Sequence, residues 1–349
     1  MSSPIEQERK NRWIDVHAHV LPMRVIEALR RNPKPYGVAV EGGEGKFVFT
    51  FGSRRINRPT FANLVDEELF FEQQASRVAE GLDREVVSIW SEIPGYELPP
   101  DQGAAWCRLF NEELSRFISD HPKPLPLVGL GLAPLQSGER GARELEHAVQ
   151  NCGLKGILIT ANPPEVPLDG EDLEPFWSCA EELGATLFVH PAVGCVPGLD
   201  QPYYLGNVVG VPTETTFTAA RMVASGLLDR HPRLNVLLAH GGGFLPYQIG
   251  RLGYLVNKDR PKGAFGFRCQ RPATEYLRMF YYDTLLYDSD NLRRLAQQVG
   301  SSQLLAGSDY PFPTYDDQLL ETIQGAGLSR RETDDILFWN AVRLLGLQA

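Results

Sequence analysis

Basic residues are outnumbered in this sequence: 34 Lys and Arg stand against 44 Asp and Glu, a formal net charge of −10. No Lys/Arg stripe interrupts that balance, so the chain lacks the electrostatic footprint of a nucleic-acid binder. A small anionic substrate is still admitted, because a few inward-facing arginines reverse the field locally. Cysteine is sparse: the five residues Cys107, Cys152, Cys179, Cys195 and Cys269 form no CxxC pair. An odd, dispersed set reads as reduced thiols and argues against a disulfide frame. Long apolar runs are missing as well. The longest, Leu125–Leu135, is broken by Pro126, Gly129, Gly131 and Pro134, which suits a buried strand and not a membrane span. The opening MSSPIEQERKNRW carries no apolar segment of the secretory kind. These absences lead us to expect a soluble, cytoplasmic protein with no membrane or nucleic-acid partner. With 43% hydrophobic and 22% charged residues, disordered, collagen-like and coiled-coil classes are also excluded.

What is present is an alternation. Near-continuous apolar or β-branched runs fall at Trp13–Val20, Glu85–Trp90, Leu125–Pro134, Leu154–Thr160, Ala185–Pro191, Asn235–Gly242, Met279–Leu286 and Ser302–Pro311. Runs of this kind are expected of parallel strands covered on both faces. Between them, Asn63–Leu82, Ala104–Ser119, Gly141–Asn151, Leu173–Leu183, Thr213–Asp229 and Leu292–Val299 carry helical spacing, and Arg331–Leu347 reads as a terminal helix. Eight strands with helical crossovers predict an α/β fold, a (β/α)8 TIM-type barrel forming one domain over residues 1–349. A doubly wound open sheet is the alternative, but no GxGxxG follows any strand. The stretch from about 22 to 61, with KFVFTFGSRRINRP at its centre, breaks the alternation and predicts a small β insertion over the barrel mouth.

Of seven histidines, four fall at strand ends. His17 and His19 form an HxH on strand one, and residues two apart on a strand face the same way. His190 ends strand five, His240 strand six, and Asp309 strand eight. In a barrel the C-terminal strand ends surround one mouth. Each pattern alone is common by chance; their joint placement is what points to a metal. Three imidazoles, a carboxylate and an open position suit zinc that activates a water. His121 and His231, each before a proline, and His147, mid-helix, read as structural or solvated.

The segments DVHAHVLP, LFVHP, GVPTETT, LLAHGGGFLPYQIGR and LLAGSDYPFP resemble the amidohydrolase-2 group of the amidohydrolase superfamily, and in particular its decarboxylases, from about Asp15 to Leu347. The resemblance implies a barrel with one divalent metal, usually zinc with manganese as the other choice. The activity it implies is non-oxidative decarboxylation of an unsaturated or aromatic acid. Position by position, it makes His17, His19, His190 and Asp309 the ligands, and His240 the unligated base acting on metal-bound water. Asp309 would share the proton transfer. Superfamily members that bridge two metals use a modified lysine at the end of strand four; here that end is Thr160, which favours a single ion.

Carboxylate substrates need cationic anchors, and an arginine fork suits them. The resemblance assigns Arg251, eleven residues beyond His240, to substrate binding across a homodimer interface, and places Arg54 or Arg55 at a second anchoring position. Gly241–Gly243 would let the backbone approach the metal closely or simply make a tight turn. Phe312 and the Tyr281/Tyr282 pair are aromatic candidates for the pocket wall. Where the compared decarboxylases carry a tryptophan two residues after the strand-five histidine, this chain has Ala192, implying a pocket of different shape in which Tyr203 or Tyr204 could substitute. The same site could also serve hydrolysis of a C–C, lactone or amide bond. A non-catalytic scaffold would be expected to lack ligands, and none is missing.

Overall fold

A computed structural model describes residues 12–56, 59–120, 125–163, 166–192, 202–260 and 262–348. Its strands are β1 (Trp13–His19), β2 (Val38–Gly43), β3 (Lys46–Phe51), β4 (Arg54–Arg55), β5 (Leu82–Ser88), β6 (Leu127–Gly129), β7 (Gly156–Thr160), β8 (Thr186–His190), β9 (Asn235–Leu238), β10 (Phe280–Asp283) and β11 (Leu304–Leu305). The main helices are α1 (Met23–Arg31), α2 (Glu67–Ala79), α3 (Pro100–Asp120), α4 (Gly138–Gln150), α5 (Glu174–Leu183), α6 (Val211–Ala224), α7 (Leu245–Asp259) and α8 (Ser289–Val299).

Two parallel sheets carry the architecture, one of three strands in the order β1-β5-β6 and one of five in the order β11-β10-β9-β8-β7. Their edges meet twice. At one junction Val16 N–H donates to Ala306 O at 2.9 Å, Asp309 N–H to His17 O at 2.8 Å and His19 N–H to Tyr310 O at 2.7 Å. At the other, Lys155 N–H donates to Gly129 O and Leu158 N–H to Gly131 O, both at 2.9 Å. The eight parallel strands therefore succeed one another in the order of a TIM-type barrel, with helices between them. Every residue of β1, β7 and β8 is buried, which is why these runs read as continuous and not alternating.

The strand assignments from sequence match in number and place, and differ in length. The second strand begins three residues earlier than expected, at Leu82, because α2 stops at Ala79. The sixth and eighth end early, at Leu238 and Leu305, so His240 and Asp309 lie just beyond their strands. Both have positive φ, 56° and 66°. The region after β1 also differs. It opens with α1, a helix that was not expected, whose Val25, Ile26 and Leu29 are buried along one face. Only Val38–Arg55 forms the antiparallel β2-β3-β4 sheet. There Phe49 and Phe51 are buried against Trp106 of α3, ring centroids 6.5 and 5.6 Å away; burying side chains of this size stabilises by roughly 1.5–3 kcal/mol each. The chain's end, Arg330–Leu345, is helical with a wider turn at Asp335–Trp339.

Candidate metal centre and active site

The pleat of β1 sends Asp15, His17 and His19 to one side, and all three are fully buried. His190 is the last residue of β8, and Asp309 is carried back over β1 by its bond to His17 O. One ligand atom from each of His17, His19, His190 and Asp309 can be chosen so that all lie within 4.8 Å of one another. Asp309 Oδ1 is 3.0 Å from His17 Nε2, 3.1 Å from His19 Nε2 and 3.7 Å from His190 Nε2. The Nε2 atoms of His17 and His190 are buried without a hydrogen-bond partner, the approach of Asp309 to His17 being out of line for one.

The other nitrogen of each ring is engaged. His17 Nδ1 lies 2.7 Å from Asp283 Oδ2, His19 Nδ1 2.9 Å from Ile89 O, and His190 Nδ1 2.8 Å from Pro191 O. Carboxylates and carbonyls only accept, so each Nδ1 carries a hydrogen, which leaves each Nε2, facing Asp309, as the atom that would meet an ion. Three imidazole nitrogens and one carboxylate converging in a buried space fit a single divalent ion.

Electrostatics describe the same site without an ion. Burial alone would lower the pKa of His17, but the carboxylates of Asp309 and Asp283 outweigh it and push the group up to about 10. Burial lowers His19 and takes His190 down to about 3. Burial would raise Asp309, yet His17, His19 and His190 hold it well below the usual carboxylate range. One proton on His17 thus occupies the charge position that a cation would take.

His240 stands slightly apart. Its Nε2 is 3.9 Å from Asp309 Oδ2, its Nδ1 has no partner, and it is not among the four converging residues. It sits in a one-turn segment, His240–Gly242, whose glycines Gly241 and Gly242 have positive φ, as does Gly243. A Cβ at Gly243 would stand 2.2 Å from Pro212 O, so close approach as well as turning requires glycine there.

Asp283, at the end of β10, escaped the sequence reading. Its carboxylate accepts from the backbone N–H groups of His240 (3.0 Å) and Gly241 (2.8 Å) as well as from His17. The signal was available: an acid at the C-terminal end of strand seven meets the same criterion that selected Asp309. Beneath the site, Asp15 accepts from the backbone of His17 and Ser308 and from the side chains of Ser308 and Arg77. Arg77 also contacts Glu85.

Two cavities meet at His240 and Asp309. One, a cleft of about 450 Å³ counting the part open to solvent, is walled by Phe61, Trp90 and Phe312, with Ser91 and Glu92 beside them. The other, about 780 Å³, is bounded by Phe244, Leu285, Leu286 and Tyr287. Phe312 therefore lines the site as expected, its ring 4.8 Å from that of His19. Tyr204 reaches the first cavity, whereas Tyr203 is 86% exposed. Tyr282 is core, its hydroxyl donating to Leu277 O at 2.7 Å, and Tyr281 lines neither cavity. Nothing in the sequence marked Phe61, Trp90 or Asn207 as lining residues.

The arginines are elsewhere. Arg54 is exposed and paired with Glu97 at 2.6 Å; Arg55 is exposed and paired with Glu41 at 2.8 Å. Arg251 is exposed on α7, and no hydrogen bond or ion pair is found for it among the described residues. Among those residues no Lys or Arg lines either cavity. Thr160 donates to Ser91 O at 2.9 Å, and Ala192 is buried. His231 is tied to Glu174 at 2.8 Å and His147 lies 3.5 Å from Glu112, as befits structural histidines; His121 and Cys195 fall outside the described residues.

Comparison with known proteins adds four likenesses. The sequence profile of the family described as Amidohydrolase matches residues 14–347. The chain is 32% identical over 269 residues to 2-amino-3-carboxymuconate-6-semialdehyde decarboxylase of Dictyostelium discoideum, covering 76% of this chain and 73% of that one. To the Caenorhabditis elegans protein of the same name it is 25% identical over 395 residues, covering 97% and 95%. The fold superposes with a TM-score of 0.74 on the crystal structure of a dihydroxybenzoic acid decarboxylase from Polaromonas, which holds manganese and the inhibitor 2-nitroresorcinol, at 21% identity over 97% of this chain and 98% of that one.

Proposed function

The chain belongs to the amidohydrolase family, and from that premise we propose that it is a metal-dependent, non-oxidative decarboxylase of an aromatic or unsaturated carboxylic acid bearing hydroxyl or amino groups. We read its two parallel sheets as the wall of one (β/α)8 barrel domain, working in the cytoplasm. The observation that carries the reading is the convergence of His17, His19, His190 and Asp309 within 4.8 Å, with two buried Nε2 atoms left without partners.

Those four residues would hold one divalent ion. Zinc suits the imidazole-rich set, and manganese is the ion held by the Polaromonas relative. When bound, the ion supplies Lewis-acid charge that polarises the substrate's oxygen atoms. The remaining work belongs to side chains. His240 borders both cavities with a free Nδ1, so its imidazolium is placed to deliver a proton to the ring or alkene carbon bearing the carboxylate. The C–C bond to the carboxylate then breaks, its electron pair returns to the π system, and CO2 leaves. Asp309 Oδ2, 3.9 Å from His240 Nε2, steadies the imidazolium before transfer. Phe312 and Phe61, edge to face at 5.6 Å, form one aromatic wall against which the substrate ring can pack and from which water is excluded.

The cation facing the substrate carboxylate is the missing part, since among the described residues no Lys or Arg lines either cavity. We assign it to Arg251 of a second copy. Arg251 shares a stripe of α7 with Tyr247 and Tyr254, continued at the helix N-cap by Phe244, exposed by 87%, 60% and 40%, and an apolar stripe of that kind is suited to pairing. Arg54 and Arg55, on β4, are the second anchoring candidates on release from Glu97 and Glu41.

Elemental analysis of purified protein, paired with CO2 release from ortho-hydroxybenzoates and carboxymuconate semialdehydes, tests the reading. About one divalent ion per chain with CO2 evolved is expected. A bound ion without CO2 from any compound, but with water taken up into product, would replace decarboxylation by hydrolysis.

A further inference from the structure

Asp283 is fully buried, and each of its oxygens serves two donors. Oδ2 accepts from His17 Nδ1 at 2.7 Å and from His240 N–H at 3.0 Å. Oδ1 accepts from Gly241 N–H at 2.8 Å and Leu285 N–H at 3.3 Å. We propose that Asp283 is a positioning residue that sets a metal ligand and the proton-transfer group together, orienting the His17 ring through one donor and holding the turn that presents His240 through the others. The proposal rests on the assignment of His17 as ligand and His240 as proton-transfer group made above.

Donor counting shows why a carboxylate is required. An asparagine offers one accepting oxygen, and its NH2 must face one of the two donor pairs. Turned toward His17, it opposes the Nδ1–H and favours the tautomer with hydrogen on Nε2, the atom needed for the metal. Turned toward Gly241 and Leu285, it opposes their N–H groups and loosens a turn in which His240 adopts φ of 56°, a conformation that persists only when its surroundings impose it. No orientation serves both. The chain also makes room for the arrangement: a Cβ at Gly307 would stand 2.9 Å from the Cβ atoms of both Asp283 and His17. That glycine is what allows strand seven's acid to reach strand one's histidine.

The test uses the zinc-loaded chain and its Asp283→Ala variant, which removes the acceptor for both donor pairs, labelled with 15N-histidine, with resonances assigned from His17→Ala and His240→Ala. In the variant, the side-chain resonances of His17 and His240 should both shift while those of His19 and His190 stay. Zinc affinity, read by chelator competition, should weaken about 10–100-fold. Resonances unchanged, or a shift at only one of the two histidines, would overturn the shared role, as would zinc affinity within about threefold of the parent. Should the variant fail to fold, the parent decides: a protonated His17 Nδ1 in the zinc-loaded chain is expected, and a metal-ligated Nδ1 refutes the proposal. None of these readouts needs turnover, so absence of CO2 release would sink the decarboxylase reading and leave this one standing.

Discussion

The Asp15 carboxylate accepts a hydrogen bond from Ser308 N–H at 3.0 Å, joining chain segments 293 residues apart. The same oxygen accepts from His17 N–H at 3.0 Å. One side chain thereby fixes the backbone beside a candidate ligand on β1 and beside Asp309. Its counter-charge is Arg77, whose guanidinium lies between the rings of Trp13 and Tyr310, 5.2 and 4.6 Å from their centroids, and contacts Glu85 as well.

Replacing Arg77 with Met should therefore be costly. Two fully buried carboxylates, Asp15 and Glu85, would lose their only cation among the described residues. Breaking a buried pair from one side typically costs about 3–5 kcal/mol. Urea unfolding of parent and variant at one zinc concentration measures it; a difference below about 1 kcal/mol would mean the pair contributes little.

Metal loading should release a proton. His17 has its pKa pushed up to about 10 in the folded, metal-free chain, against an ordinary value of 6.5. Its protonated form stabilises that chain fully below pH 6.5, and the contribution is lost as pH rises through 10. At pH 7–8.5 the proton is in place, whereas His19 and His190, lowered by burial, are neutral. Zinc must displace it, so about one proton should leave per ion and affinity should rise about tenfold per pH unit. Calorimetry in buffers of different ionisation enthalpy reads the number directly; no buffer dependence would contradict the charge assignment.

Ligand and base should separate under mutation. His240→Ala should retain the metal and lose about 10²-fold or more in kcat, as expected when a proton-transfer group is removed. Asp309→Ala should lose both ion and turnover, because Oδ1 is the atom shared by three imidazoles. Metal stripped by His240→Ala would make His240 a ligand instead.

Arg251→Ala should chiefly raise KM for an anionic substrate. If the residue acts from a second copy, mixing Arg251→Ala with His240→Ala chains should restore activity in heterodimers that contain one complete site. Unchanged kcat and KM in Arg251→Ala would place the residue outside the reaction, and a mixture no more active than its parent variants would make it act within its own chain.

The strands and four converging residues were legible because their signals are local. Strand runs covered on both faces are continuous in apolar residues, and a period of two puts His17 and His19 on one side without any knowledge of the fold. What was hidden depends on partners distant in sequence. Asp283 looks like an ordinary strand-end acid until His17 is set 2.7 Å from it. Arg77 sits in a helix where charge usually faces water, and only the approach of Asp15 and Glu85 makes it interior. Arg54 and Arg55 were expected at substrate, but local glutamates claim them. The α1 segment was read as part of a β insertion because its apolar face is only three residues deep.

The two sheets meet beside β1, and the candidate ligands divide along the same line. His17 and His19 belong to the three-stranded sheet, His190 to the five-stranded one, and Asp309 to the segment that follows its edge strand β11. An ion held by all four would rivet the edges together and act on the fold's mechanics as well as on its chemistry. Chelation should then unzip this junction ahead of the rest, with the amides of His19 and Asp309 exchanging with solvent while those of β7 and β8 remain protected.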